Sequence, residues 1–436
     1  MRSIKIRGKS TLEGKFSVPG DKSISHRTVM LGAIANGITQ AHGFSTGEDC
    51  MNTVRALQSL GVDIELKNKL VVCGKGLHGL GKPEKTIDAG NSGTTMRILL
   101  GILAGQPFKS HITGDESLRQ RPMNRITQPL MKMGAKISGR QGADLAPLVV
   151  QGGILHAINH TSSVPSAQVK SAILLAGLYT NGETFVSEPL LSRDHTERML
   201  KFFGADLDID GLTVGIKGEQ ELQGKEFTIP GDISSAAFFI TFAAICPGSK
   251  ITAVNVGINP TRTGFISILR RAGAIITVSR LPKEHFEPVA EITVEGSEPK
   301  PIEIGPDDMP GLLDEIPILA VAGAVTRGES IIRGAKELRI KETDRLKALF
   351  TNLNCFGIDV KETEDGIVIR GSGQLKGCEV DSFGDHRMAM AMTMAGLMAE
   401  GETTIFNTDC IDTSFPEFVD IIKQLAPSAR LEVISN

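Results

Sequence analysis

Two apolar patterns alternate along the chain. In the first, a helix with charges on one face runs into an apolar-Gly-apolar turn and then a strand: LGVDIE (Gly61), MGAKI (Gly134), FGADLDI (Gly204), AGAIITV (Gly273) and FGIDV (Gly357), with a degenerate last copy at LAPSARLEV. Successive glycines lie 73, 70, 69 and 84 residues apart, the mark of an internal repeat. Second strands follow as LVVCG, LVVQG, LTVGIKG, ITVEG and IVIRG.

The second pattern is a helix apolar nearly all round: SHRTVMLGAIANG, SGTTMRILLGILAG, AQVKSAILLAGLYTNG, SSAAFFITFAAICPG, DEIPILAVAGAVTRG and HRMAMAMTMAGLMAEG. A helix with no polar face has to be buried, whereas the first type can lie at a surface. Each repeat therefore supplies one inner helix, one outer helix and several short strands. The parallel phrases FSVPGDKSIS (from Phe16) and FTIPGDISSA (from Phe227) open equivalent repeats, which places chain crossings near residues 20 and 230. Two α/β domains of three repeats are expected: 20–230, and 1–19 with 231–436. A length of 436 residues also exceeds what one core usually supports.

The inner helices begin with Asp21-Lys22-Ser23, Gly90-Asn91-Ser92-Gly93-Thr94, Ser166-Ala167-Gln168, Asp232-Ile233-Ser234-Ser235, Asp314-Glu315 and Asp385-His386-Arg387. Free N–H groups and the positive end of the helix dipole suit phosphate or carboxylate there. Ser, Asp and Asn are equally common N-caps, so one copy alone reads as a cap. Six together point to anions held in a cleft between the domains. Lys22, Ser23 and Arg27 put cations and a hydroxyl within about one turn. GNSGTTMR resembles a phosphate cradle but lacks the P-loop lysine. Arg119, Arg121 and Arg125 flank Pro122 at the expected first turn of an outer helix, two of them as surface charges. Lys341, Glu342 and Arg345 crowd another helix start, where Glu342 and Arg345 have the spacing of an i,i+3 ion pair. Asp314, within PGLLDEIP, is a carboxylate among apolar residues, a setting that would raise its basicity; it also reads as an N-cap.

Composition narrows the partners. Net charge is -3, with no Trp and one Tyr, so neither a polyanion nor stacked bases are expected to bind. The cysteines Cys50, Cys73, Cys246, Cys355, Cys378 and Cys410 are scattered, which predicts reduced, mostly buried thiols and no zinc site. His156 and His160 read as a surface loop, not as metal ligands. No apolar run approaches the roughly 18 residues of a membrane span, and a cytoplasmic monomer is expected.

PGDKSISHR, GNSGTTMR, TGDESLRQRP, SAQVK, RIKETDR and GDHRMAM together resemble the enolpyruvyl transferases along the whole chain, in that family's order and spacing. GDKS, SAQVK, RDHTE and NPTR are similar to its second class, which includes glyphosate-tolerant members. The resemblance implies an inside-out α/β barrel in each domain: three repeated βαβαββ-like units with parallel helices buried inside a ring of sheets. It also implies transfer of the enolpyruvyl group of phosphoenolpyruvate to the 5-hydroxyl of shikimate 3-phosphate, on the route to chorismate, with no metal or organic cofactor. By matched position, Ser23, Arg27, Ser166, Ala167, Gln168, Arg193, Asp314 and Lys341 would line the shikimate 3-phosphate site. Lys22 would touch both substrates. Gly93, Arg121, Gln168, Arg345 and Arg387 would surround phosphoenolpyruvate. Asp314 would take the hydroxyl proton, and Glu342 with Lys22 would handle the proton at the enolpyruvyl carbon.

Two departures from the family pattern stand out: Ala167 where many members have Ser, and Thr413 in DTSFPEF where first-class members carry a lysine. A sister enzyme acting on UDP-N-acetylglucosamine is disfavoured by Lys22-Ser23 and by the absence of a loop cysteine in HITGDESLRQRP. A non-catalytic ligand-binding relative is disfavoured by the presence of both Asp314 and Glu342, and a nucleic-acid clamp by the charge and the missing aromatics.

Overall fold

The computed structural model describes residues 2–282 and 286–435. The chain divides into two compact units, one made of residues 1–19 and 230–436, the other of residues 20–229.

The unit 20–229 contains three four-stranded sheets, and the middle repeat shows how each is made. Strand Ile87–Asp88 leads into helix Gly93–Ala104, then strand Lys109–Thr113, helix Asn124–Lys132, and strands Lys136–Gly139 and Leu145–Gln151. The first strand pairs parallel with the second, and the remaining two pair antiparallel, with Leu145–Gln151 between Lys109–Thr113 and Lys136–Gly139. Alternation along Leu145–Gln151 sends Ala146, Leu148 and Val150 inward, as a strand with one buried face requires.

Helices Lys22–Ile34, Gly93–Ala104 and Ala167–Gly177 carry the all-round apolar pattern and bury nearly every residue beyond their first turns. Gly101 lets two of them meet backbone to backbone, since a Cβ there would collide with the carbonyl oxygen of Ala172.

The other unit repeats the plan with helices Ile233–Ile245, Ile316–Val325 and His386–Gly396 and three four-stranded sheets. All thirteen residues of Ile233–Ile245 are buried. Phe239 packs against Phe16, Phe415 and Phe418 at 5.0, 6.2 and 5.6 Å between ring centroids. Each such ring adds about 1.5–3 kcal/mol through apolar burial.

Strands just before the two crossings complete sheets far away in sequence. Glu13–Phe16 pairs parallel with Lys250–Gly257, and Glu226–Thr228 pairs parallel with Ile38–His42. Arg2–Arg7 lies antiparallel between Glu402–Phe406 and Arg430–Ser435.

Several local expectations need correction. Of the cysteines only Cys50 is buried; Cys355 is exposed and the rest are half-buried. His160 lies in strand Asn159–Thr161, half-buried, while His156 is in an exposed loop. Arg119 belongs to a 3-10 turn at Leu118–Gln120, and the outer helix starts at Asn124, so Pro122 precedes it and Arg125 alone of the three arginines is helical. No helix among the described residues is long and apolar enough to cross a membrane.

Candidate active site

Five of the six inner helices are capped by the side chains that their sequences suggest. Asp21 accepts from Ile24 N, Ser92 from Thr95 N, Ser166 from Val169 N, Asp232 from Ser234 N, and Asp385 from Arg387 N and Met388 N. Asp314 is not a cap: the sixth helix begins at Ile316 after Glu315, without a side-chain cap. Capping fixes these helix starts, and Lys22, Ser23, Gly93, Ala167, Gln168 and Arg387 lie in the turns so fixed.

In the unit 20–229, Lys22 follows its cap and reaches Asp49 Oδ2 at 3.1 Å, a carboxylate supplied by helix Glu48–Ser59. Arg27, one turn on, is 4% exposed. Its Nη1 donates to Ser23 O (2.9 Å), its Nη2 to Ser171 Oγ (2.8 Å) and its Nε to Thr196 Oγ1 (2.6 Å). These three acceptors are neutral oxygens, from a backbone carbonyl and two hydroxyls.

The motif GNSGTTMR does more than offer glycines. Arg97, its last residue, donates Nη1 to Gln168 Oε1 at 2.9 Å and Nη2 to Pro122 O at 3.2 Å, while Gln168 Nε2 donates to Thr94 Oγ1 at 3.1 Å. Arg121 is buried and donates Nη2 to Asn91 Oδ1 (2.6 Å) and Ser117 Oγ (3.2 Å). Gly93 lies against both arginines: a Cβ there would stand 3.2 Å from Arg97 Nη1 and 3.6 Å from Arg121 Nη1. Sequence reading missed Arg97, although its position four residues after Gly93 puts the two on one helix face. Ser166 and Ala167 open the third helix, half-buried, and Arg193 is half-buried in the loop before helix His195–Phe203.

The other unit gathers Asp314, Glu342, Arg345 and Arg387. Arg345 is 1% exposed and bonds Asp385 Oδ2 through Nε and Glu342 Oε2 through Nη2, both at 2.7 Å. Its Nη1 makes no hydrogen bond among the described residues, and Asp314 Oδ1 stands 3.6 Å away. Arg387 Nη2 faces Asp314 Oδ2 at 3.6 Å, and its Nη1 donates to Asp314 O at 3.0 Å. Burial works against the Arg345 charge, but Asp385, Glu342 and Asp314 outweigh it and hold the guanidinium protonated.

The apolar surroundings expected of Asp314 are therefore not what its carboxylate meets. Leu312 and Leu313 precede it in sequence, yet the guanidiniums of Arg345 and Arg387 each stand 3.6 Å from its oxygens. The i,i+3 ion pair between Glu342 and Arg345 is present, but Arg345 also serves Asp385 and Asp314. Lys341 ends the 3-10 turn Lys336–Ile340, half-buried. Thr413 turns its hydroxyl back onto Cys410 O at 2.7 Å, so it does not replace a lysine with another polar arm. Among the described residues no group of three or more His, Cys, Asp or Glu is arranged to hold a metal ion.

Residues 6–422 match the family described as EPSP synthase (3-phosphoshikimate 1-carboxyvinyltransferase). The chain belongs to the EPSP synthase family. A 3-phosphoshikimate 1-carboxyvinyltransferase of Desulforamulus reducens is 52% identical over 416 residues, covering 95% of this chain and 97% of the relative. That of Geotalea uraniireducens is 51% identical over 426 residues, covering 98% and 99%. Among solved structures, EPSP synthase from Acinetobacter baumannii is 44% identical, covers all of both chains and superposes with a TM-score of 0.89. Family members thus share this fold at full length, and the two clusters above lie inside the matched segment.

Proposed function

We propose that this member of the EPSP synthase family transfers the enolpyruvyl group of phosphoenolpyruvate to the 5-hydroxyl of shikimate 3-phosphate with Asp314, Glu342 and Lys22 as its catalytic groups. The observation that carries the assignment is the sharing of one buried guanidinium, Arg345, by two partly exposed carboxylates, Asp314 and Glu342. Addition of an alcohol to an enol phosphate needs a base for the hydroxyl and a separate acid for the alkene carbon. With an anion at Nη1 of Arg345, which is buried without a hydrogen bond among the described residues, each carboxylate would stand beside it.

In this reading Asp314 removes the proton of the 5-hydroxyl as its oxygen bonds to C2 of phosphoenolpyruvate, while a proton reaches C3 from Glu342 or Lys22. The tetrahedral intermediate then loses phosphate from C2 and a proton from C3, which returns to the same pair. Arg121, Arg345 and Arg387, with Gly93 and Gln168, hold phosphoenolpyruvate; Ser23, Arg27, Ser166, Ala167, Gln168, Arg193 and Lys341 hold shikimate 3-phosphate, and Lys22 touches both. Arginine suits these ligands because its planar fork meets carboxylate or phosphate bidentately. The clusters of the two units would act on the same pair of substrates. Three four-stranded sheets and three buried helices in each unit support an inside-out α/β barrel for each.

Phosphate release from phosphoenolpyruvate tests the reading. It should require shikimate 3-phosphate and should not occur when UDP-N-acetylglucosamine replaces it. Release with the nucleotide sugar alone would overturn the assignment.

A further inference from the structure

Lys170 lies two residues after Gln168 and has no part in the chemistry above, yet its side chain is 1% exposed. Its Nζ sits 2.7 Å from Glu188 Oε2 and 2.7 Å from Glu197 Oε1, carboxylates that are 2% and 4% exposed. Burial works against the ammonium, and the two carboxylates outweigh it and lift Lys170 above its ordinary value. Burial also pushes Glu197 up, and an apolar filling of the same volume is often as stable as a buried ion pair or more so, so stability alone does not account for the cluster.

Connectivity offers a better account. Glu188 accepts from Ser166 N at 2.8 Å through Oε1, and through Oε2 from the Ser192 hydroxyl, also at 2.8 Å. One carboxylate thereby fixes the start of the Ala167–Gly177 helix and the residue next to Arg193. Glu197 belongs to helix His195–Phe203, whose Thr196 hydroxyl accepts from Arg27 Nε and lies 2.5 Å from Ser171 Oγ. Lys170 joins the two carboxylates, and with them three segments that carry Ser166, Arg193 and the support of Arg27.

We propose that Lys170 is a positioning residue for shikimate 3-phosphate, tying together from behind the segments that grip it. The proposal rests on the assignment of Ser166, Arg193 and Arg27 to that substrate. Apart from Gln168, none of the groups assigned to phosphoenolpyruvate lies on these segments, so loss of the tie should fall on one substrate. Misplacing several ligands by a fraction of an ångström should weaken shikimate 3-phosphate by about tenfold or more.

The experiment is calorimetric titration with shikimate 3-phosphate, paired with the KM for phosphoenolpyruvate at saturating shikimate 3-phosphate. The variants are Lys170→Met, Lys170→Arg, Ser192→Ala and Arg193→Ala. Lys170→Met should lose about tenfold in shikimate 3-phosphate affinity with the phosphoenolpyruvate KM within about twofold, and Lys170→Arg should recover most of the loss. Ser192→Ala removes one contact to Glu188 and no charge, so it carries the test if Lys170→Met does not fold. It should weaken the same substrate by about threefold. If Arg193→Ala weakens shikimate 3-phosphate while Ser192→Ala and every folded Lys170 variant leave it within about twofold, or lower both substrates alike, the positioning role is overturned and the site assignment survives. Unchanged affinity in Arg193→Ala would overturn the assignment and the proposal with it.

Discussion

Arg345 donates its Nε to Asp385 Oδ2 at 2.7 Å, and the same carboxylate caps the helix that presents Arg387. Asp385→Asn keeps a good N-cap but removes the charge paired with a buried guanidinium. Breaking a buried pair typically costs about 3–5 kcal/mol; Glu342 and Asp314 remain near Arg345, so about 3 is expected. Urea unfolding should register this, and kinetics should show the KM for phosphoenolpyruvate raised by about tenfold through the looser Arg345. A stability loss with an unchanged KM would detach Asp385 from the site.

Asp314→Asn keeps size and removes basicity. Turnover should fall by roughly 100-fold or more, while shikimate 3-phosphate affinity by calorimetry stays within about tenfold. Near-normal turnover would assign the proton transfer elsewhere.

A methyl at Gly93 would press 3.2 Å from Arg97 Nη1 and 3.6 Å from Arg121 Nη1. Both are ends of flexible side chains, so Gly93→Ala should fold, with the guanidiniums displaced toward the space for phosphoenolpyruvate. Overpacking of this kind costs about 1–3 kcal/mol. The inhibition constant of glyphosate, longer than phosphoenolpyruvate and expected in its place, should rise by about tenfold or more, and the substrate KM by clearly less. Parallel rises in both constants would show that the pocket does not select by length at Gly93.

His26 is fully buried behind Lys22, with Nδ1 2.6 Å from Thr53 Oγ1. Burial pushes it well below the ordinary histidine range, helped by the charges of Lys22 and Arg27. A depressed folded value means that the unfolded chain takes the proton first. The stability contribution is therefore complete above about pH 6.5 and is lost as pH falls below it, at up to about 1.4 kcal/mol per pH unit. His26→Gln should flatten this slope in urea unfolding between pH 7.5 and 5.5. An identical slope in the variant would mean that His26 is not the group responsible.

Much of the architecture could be read because burial leaves a periodic trace. The run SSAAFFITFAAI has no polar face and became a helix with none exposed, and IVIRG became the strand Gly366–Gly371. Site chemistry was less legible because its partners come from afar. PGLLDEIP reads as apolar, but Arg387 meets Asp314 across 73 residues. Glu342 and Arg345 were visible as a pair because their contact is local, whereas the claim of Asp385 on the same guanidinium is tertiary. Lys170 likewise has no acidic neighbour in SAQVK; both of its carboxylates arrive from later segments.

The pairing of Arg2–Arg7 has a consequence for biosynthesis. This strand is made long before either of its neighbours, Glu402–Phe406 and Arg430–Ser435. At about 5–20 residues per second it waits tens of seconds for them. Residues 20–229 have everything they need as soon as Glu226–Thr228 emerges to finish the sheet of Ile38–His42. One unit can therefore fold during translation, while the other cannot close the sheet of Arg2–Arg7 until Arg430–Ser435 has been made.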